Sequence, residues 1–312
     1  MKIGRFKILL VVLFLAIGVN AFSQSVSKKE VLLFSRYSGE NWQVWLKDLS
    51  SNHEYQLTAT SQDKKNTQCL SGGKKMFYRT ANSEVYSFDP VTGEEERVLL
   101  KFGFILDQRI SPDGKRIVFS RRRIDLPDDS DIWVSDINGI KAKFLTDDPR
   151  LQYFPVWSPD GTRIAYVSDG DLQTGGQAVW IMNADGKNKK RLTAGKGYLD
   201  VSPEFSSDGK ELIYSSDRGG DYELWFLSLS DGKETQLTSS PGLDSGAVVS
   251  DDGKRIAFFS TRSGTSQIWI MDKNGKNVAQ ATSGKNPAAD PCWCWMEEGT
   301  LARIKERVTN AK

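Results

Sequence analysis

The sequence is poor in the residues that most often build metal sites and nucleophilic sites. Its 312 residues include one histidine, His53, and three cysteines that form no CxxC pair. Sites that hold a metal through several histidines are therefore excluded, and neither a structural zinc site nor a disulfide framework is expected. A Ser-His-Asp or Cys-His arrangement would have to use His53, and no GxSxG motif is present. We therefore predict that the protein is not an enzyme.

An excess of one charge is also lacking. The chain carries 42 Lys and Arg against 40 Asp and Glu, a formal net charge of +2. Nucleic-acid-binding proteins normally show a clear basic excess, so no nucleic-acid partner is expected. Residues 1–23 hold three basic residues and no acid, so the rest of the chain has 39 basic and 40 acidic residues.

No apolar run is long enough to span a bilayer, which takes about 20 residues. The longest, residues 8–19, covers twelve positions and follows Lys2, Arg5 and Lys7. Small residues come after it at Ala21 and Ser23, where a signal peptidase could cut. Residues 1–23 are therefore predicted to be a signal peptide, with an uncleaved N-terminal anchor as the alternative. No cysteine lies near the cleavage region, so a lipoprotein is not indicated, and the mature chain is not expected to be transmembrane.

The rest of the chain is organised by a repeat of 41 to 48 residues. Its clearest element is a turn of the type SPDG, which combines a proline that presets φ with an Asp-Gly reversal. The aligned glycines are Gly73, Gly114, Gly161, Gly209, Gly253 and Gly299. A segment with a central aromatic residue follows each of these turns except the last. With one such segment before the first turn, the aromatics are Trp45, Tyr86, Trp133, Trp180, Trp225 and Trp269. Most repeats close with Leu-Thr.

Each repeat predicts four short antiparallel strands, which is the pattern of a propeller blade. The central aromatics are expected to fill the space between blades. The N-terminal segment supplies only the last three strands of a blade, and residues 290–295 supply a first strand alone. We therefore predict an all-β, six-bladed β-propeller over residues 24–299, closed by the C-terminal strand joining the N-terminal blade, and a short tail over residues 300–312.

The SPDG-like turns, the IWIMD-like third strands and the Leu-Thr endings together resemble the TolB propeller repeat. The resemblance covers most of residues 31–299. It implies a six-bladed propeller in the periplasm that binds an envelope protein such as a peptidoglycan-associated lipoprotein. Proteins of the TolB type carry an α/β domain before the propeller, whereas only a few residues here separate the predicted cleavage site from Val31. The resemblance therefore indicates the fold more firmly than membership of a Tol-Pal system.

The first strands of a propeller line its channel, and the residues that open them predict a binding site at one mouth. Counting nine residues back from each aligned glycine gives Asp200, Asp244 and Asp290 in three blades and Gln152 in a fourth. We expect a partial acidic ring that binds a partner's cationic group, a divalent ion or sugar hydroxyls. The alternative is that each Asp caps its own turn. The nearby Tyr153 and Tyr198 are candidate partner contacts or, alternatively, packing between blades.

One long loop at the same mouth is a candidate calcium site. It places Asp125, Asp128, Asp129 and Asp131 within seven residues, without EF-hand spacing. Asp169 with Asp171 is a weaker candidate of the same kind. The alternative is a solvated acidic loop, so no cofactor is required.

The cysteines also leave two possibilities open. Cys69 occupies a first-strand position that is aromatic in other blades, which indicates a small buried side chain. A disulfide from Cys69 to Cys292 or Cys294 is compatible with an oxidising compartment, but the alignment places Cys294 one register step off and facing away.

Together these features predict a periplasmic, or alternatively extracellular, non-catalytic scaffold. Its expected partner is an envelope protein such as a peptidoglycan-associated lipoprotein, or a cell-wall component. The alternative is an enzyme or sensor that acts on a glycan or peptide at the channel mouth.

Overall fold

The computed structural model describes residues 27–70, 72–99, 103–123, 129–169 and 175–310. The predicted signal peptide lies outside these residues. The described chain forms 24 strands and one helix.

The strands follow one another in blade order. Blade one begins with β1 (Lys28–Tyr37), β2 (Trp42–Asp48) and β3 (His53–Gln56). Blade two contains β4 (Lys64–Cys69), β5 (Met76–Thr80), β6 (Val85–Phe88) and β7 (Glu95–Leu99). Blade three contains β8 (Ile105–Ile110), β9 (Arg116–Arg122), β10 (Ser130–Asp136) and β11 (Lys143–Phe144). Blade four contains β12 (Gln152–Trp157), β13 (Arg163–Ser168), β14 (Ala178–Asn183) and β15 (Lys190–Arg191). Blade five contains β16 (Asp200–Phe205), β17 (Glu211–Ser216), β18 (Glu223–Ser228) and β19 (Glu234–Gln236). Blade six contains β20 (Asp244–Val249), β21 (Arg255–Ser260), β22 (Gln267–Asp272) and β23 (Ala279–Gln280). The chain ends in β24 (Ala288–Glu297) and α1 (Glu298–Asn310).

Six four-stranded antiparallel sheets confirm the predicted propeller, and the closing sheet has the order β24-β1-β2-β3. Joining the last strand to the first three removes the open edge that a linear array would expose.

The repeated turn is held by its own side chains. In blade three, Ser111 Oγ donates to Asp113 Oδ1 at 2.6 Å, and Arg116 N donates to Ser111 Oγ at 2.9 Å. Gly114 has a φ of 70°, a conformation that glycine adopts without a side-chain clash. The same Ser-Asp hydrogen bond recurs in blades four, five and six. The turn is therefore specified locally, which is why it repeats so clearly in the sequence.

The Leu-Thr endings also have a structural role. Thr146 Oγ1 accepts a hydrogen bond from Ile132 N at 2.8 Å, which ties the end of blade three's outer strand to β10. The equivalent threonines are Thr58, Thr193, Thr238 and Thr282. Each is buried.

The core consists of apolar clusters between neighbouring blades. Trp180, for example, packs against a cluster that joins Val118 and Ile132 of blade three to Ile164 and Tyr166 of blade four. The other central aromatics pack in the corresponding clusters, as predicted.

The helix α1 lies against the closing blade, over part of the predicted tail. Leu301, Ile304 and Val308 are buried in the cluster that joins blades one and two. Lys305 Nζ donates to Asp48 Oδ2 at 2.6 Å. The helix therefore covers the seam where the ring closes.

A disulfide also crosses this seam. Cys69 of β4 is bonded to Cys294 of β24, with the Cα atoms 5.8 Å apart, and Cys292 is free. The expectation that Cys294 faces away from Cys69 was wrong. Cys294 is one register step from the position equivalent to Cys69, but neighbouring blades pack opposite faces against each other, so the two side chains meet between blades one and two.

Candidate functional site

The channel has two mouths. The loops that enter the first strands and those that join second to third strands form one, which we call the loop-side mouth. The SPDG-like turns form the other, the turn-side mouth. The predicted site residues belong to the loop-side mouth, where the first strands begin.

Asp200 and Asp244 open β16 and β20 but do not form an accessible acidic ring. Both have an exposed fraction of 0%. Arg218 Nη2 lies 3.1 Å from Asp200 Oδ1, and Arg262 Nη2 lies 2.6 Å from Asp244 Oδ2. Burial raises the pKa of Asp200, although hydrogen bonds from Ser216 and Thr193 and the charge of Arg218 act in the opposite direction. The geometry predicted for these two residues was therefore wrong, because each carboxylate is neutralised inside the wall.

Asp290 is not equivalent to Asp200 and Asp244. Ala288 pairs with Arg36 as Asp200 pairs with Ser216, so Ala288 opens the strand. Asp290 lies two residues further along, with a φ of 53°, and its Oδ2 accepts a hydrogen bond from Asn66 N at 3.1 Å. The alignment through Gly299 failed because β24 leads into a helix and not into an SPDG turn. Asp290 therefore lies inside the channel.

Gln152 is also buried, with an exposed fraction of 0%. Its backbone N donates to Ser130 Oγ at 3.1 Å, and its side-chain amide donates to Asp148 O at 3.4 Å. It therefore connects neighbouring elements of the wall and offers no free surface.

The two tyrosines, in contrast, remain partly exposed at the loop-side mouth. The Tyr153 ring lies 5.0 Å from the Phe154 ring, and the Arg218 guanidinium lies 4.9 Å from the Tyr198 ring. Burial raises the pKa of Tyr153, and the neighbouring Asp169 and Tyr222 raise it further. Phe104, Phe154 and Tyr222 are further exposed or partly exposed aromatic residues at the loop-side ends of the strands, and we call these three together with Tyr153 and Tyr198 the aromatic rim. Sequence analysis identified only two of its members.

The described part of the candidate calcium loop contacts an arginine. Arg123 Nε lies 2.8 Å from Asp131 Oδ2, and Arg123 Nη1 lies 3.4 Å from Asp129 Oδ2. Asp125, Asp128 and Asp171 lie outside the described residues. Within the described ranges, no three His, Cys, Asp or Glu residues are grouped to hold a metal ion. A calcium site stays a prediction.

The channel contains a cavity with a mixed polar and apolar lining that the sequence analysis missed. It has a volume of about 430 Å³, opens at the turn-side mouth, and continues toward a second cavity of about 210 Å³. Arg109 and Glu204 line both cavities. Burial raises the pKa of Glu204 to about 7, and the charge of Arg109 opposes the rise. An alignment of the first strands alone would have revealed Glu204 as a charged residue at a position that is apolar in two other blades. The equivalent residues are Val156 in blade four and Val248 in blade six.

The single histidine lies away from these cavities. His53 is exposed at the start of β3, and its ring packs 4.6 Å from that of Tyr55. Across the described ranges, no helix has the length and apolar character that a membrane span requires.

Comparison with known proteins identifies related chains. The TolB beta propeller domain family matches residues 131–310. An uncharacterized protein of Agrobacterium fabrum is 31% identical over 139 residues, which cover 42% of this chain and 46% of that protein. A TolB homologue of Chlorobium luteolum is 25% identical over 168 residues, covering 41% of this chain and 38% of that protein. These matches span less than half of each curated relative.

Solved structures share the fold. TolB from Acinetobacter baumannii superposes with a TM-score of 0.74 at 19% identity, covering 85% of this chain and 66% of that chain. An oligogalacturonate lyase in complex with manganese superposes with a TM-score of 0.61 at 17% identity, covering 80% of this chain and 73% of that chain. The fold is therefore shared by TolB and by an enzyme.

Proposed function

The chain belongs to the TolB beta propeller domain family, and from that premise we propose that it is a non-catalytic scaffold that binds a protein partner in the cell envelope. The proposed partner is an envelope protein such as a peptidoglycan-associated lipoprotein. The predicted signal peptide supports a periplasmic location.

The observation that carries the proposal is the aromatic rim of the loop-side mouth. Phe104 has an exposed fraction of 59%, and the other rim residues are partly exposed. Aromatic side chains at a concave surface contribute much of the binding energy in protein interfaces, since they bury a large area at a small entropic cost. Asp200 and Asp244, which were predicted for this mouth, are neutralised in the wall. The rim therefore favours an apolar and aromatic contact surface on the partner.

The test captures partners from the envelope fraction of the source organism on immobilised protein. The affinity for each captured protein, and for purified peptidoglycan-associated lipoprotein, is then measured by calorimetry. The variant Tyr153→Ala/Tyr198→Ala should weaken binding at least about tenfold, which corresponds to roughly 1.4 kcal/mol.

The matched control is Ile140→Ala. Ile140 has an exposed fraction of 77% and lies in the turn after β10, at the opposite end of the blades. It should bind as the wild type does. If the wild type and the Tyr153→Ala/Tyr198→Ala variant bind the partner with equal affinity, the rim is excluded as the binding surface. If the wild type retains no envelope protein, the scaffold role is excluded.

A second candidate is an enzyme or sensor that acts on a glycan or peptide in the channel. Glu204 supports it, because a carboxyl with a pKa near 7 in a cavity suits a general acid. Wall polysaccharide or peptides cleaved by the wild type and not by Glu204→Gln would favour this candidate over the scaffold.

A further inference from the structure

All three cysteines of the chain meet at one place in the channel wall. Cys292 and Cys294 are two residues apart in β24, so their side chains share the face of that strand that meets β4. Cys69 lies at the end of β4, and the three side chains belong to one packed cluster. All three also line the cavity of about 430 Å³. Their proximity is independent of the proposed partner-binding rim.

The free thiol lies beside the disulfide. Cys69 N donates a hydrogen bond to Cys292 Sγ at 3.3 Å, while Cys69 is bonded to Cys294. A backbone nitrogen is only three bonds from the Sγ of its own residue. The Cys292 sulfur is therefore close to the Cys69 half of the disulfide.

We propose that the three cysteines form a thiol–disulfide exchange site in which Cys292 and Cys294 compete for a bond to Cys69. In the exchange, the Cys292 thiolate attacks Cys69 Sγ. The bond between Cys69 and Cys294 breaks as the bond between Cys69 and Cys292 forms. Cys294 leaves as a thiolate and takes up the proton that Cys292 released. The number of disulfides and thiols is unchanged, so no oxidant or reductant is consumed.

The exchange keeps the ring closed and changes the channel wall. Both disulfides join β4 to β24, so the covalent link across the closing seam persists. In one state the free thiol is Cys292, which is partly exposed to the cavity, and in the other it is Cys294, which is buried. A small thiol-reactive molecule in the channel should therefore react faster with the protein in the first state.

The surroundings of Cys292 set the rate of the exchange. Arg109 of β8, Glu204 of β16 and Asp251 in the turn after β20 face the thiol. Burial raises the pKa of Cys292 to about 11, with Arg109 acting against the rise and the two acids adding to it. Because only the thiolate attacks, the exchange should accelerate about tenfold per pH unit below that pKa.

The first test counts free thiols in denaturant after air oxidation. Cys294→Ala should have none, because Cys69 pairs with Cys292, and Cys292→Ala should have none, because the original disulfide remains. Cys69→Ala is the control and should retain two. Two free thiols in Cys294→Ala, with circular dichroism matching the wild type, would overturn the proposal.

The second test uses the wild type and does not depend on a variant folding. The protein is held at pH 7 or pH 9, quenched in acid, unfolded, and alkylated, and fragmentation of the peptide that contains β24 locates the alkylated cysteine. Label on Cys294 should appear sooner at pH 9, at a rate independent of protein concentration. Label confined to Cys292 at both pH values, or a rate proportional to protein concentration, would overturn internal exchange.

Discussion

Arg262 Nη2 lies 2.6 Å from Asp244 Oδ2, inside the wall between blades five and six. The carboxylate opens the first strand of blade six, and the arginine follows its second strand. The same spacing of 18 residues relates Asp200 to Arg218 in blade five. Each arginine also lies over the central tryptophan of its blade, at 4.9 Å for Trp269 and 4.4 Å for Trp225. The pair therefore links three strands of a blade, and its role is structural.

Removing one member of this pair should destabilise the fold. Asp244→Ala leaves the Arg262 guanidinium, whose side chain is 16% exposed, without its carboxylate partner, so we expect a loss of about 1 to 3 kcal/mol in the free energy of unfolding. Asp244→Ala/Arg262→Leu removes both charges and should recover part of that loss. Urea unfolding of the three proteins tests this. Equal stability of the two variants would contradict an energetic coupling between the residues.

Glu204 should make stability fall as pH rises. Its pKa in the folded protein is raised from the ordinary 4.5 to about 7, so the folded state disfavours the charged form. The wild type is therefore most stable, relative to Glu204→Gln, below pH 4.5, and it loses that advantage as pH rises through 7. At pH 8 the variant should be the more stable by up to roughly 3 kcal/mol. Chemical denaturation at pH 4 to 8 measures the difference.

The matched comparison is Glu234→Gln. Burial acts to raise the pKa of Glu234, but hydrogen bonds from Arg218 and Tyr214 outweigh it and lower the pKa. This variant should therefore lose stability relative to the wild type as pH rises to about 4.5, and the difference between them should stay constant at higher pH. Parallel pH curves for the wild type and Glu204→Gln would contradict the environment assigned to Glu204.

The helix α1 should contribute to stability through its buried face. Ile304 has an exposed fraction of 0%, so Ile304→Ala should cost about 2 to 5 kcal/mol in the free energy of unfolding. Arg303 is exposed on the same helix, and Arg303→Ala should change stability by less than about 0.5 kcal/mol. Urea midpoints distinguish the two, and similar effects of both would mean that α1 does not pack on the seam.

Gly176 should tolerate no side chain. A Cβ at this position would lie 2.1 Å from Gly195 O and 2.4 Å from Tyr198 O, where two loops of the loop-side mouth cross. Gly176→Ala should therefore lower the thermal midpoint and disturb the aromatic rim near Tyr198. Gly219→Ala is the control, because its Cβ would meet nothing within 4 Å. A thermal midpoint of Gly176→Ala equal to that of the control would contradict this crossing.

The sequence by itself determined the blades, their number and the closure of the ring. These features depend on local chemistry, such as the Ser111–Asp113 turn and the Thr146 hydrogen bond to β10, and local chemistry repeats visibly along the chain.

Only the tertiary structure decided which residues reach the channel and the mouths. Asp244 looks available in the sequence, but Arg262, 18 residues away, neutralises it in the wall. The register of β24 depends on its pairing with β1, so an alignment through Gly299 misplaced Asp290. Cys294 meets Cys69 because neighbouring blades pack opposite faces together, which the repeat of one blade does not show. Burial and cross-strand register arise from contacts between distant segments. For that reason the repeat predicted the fold, while the site required the folded ring.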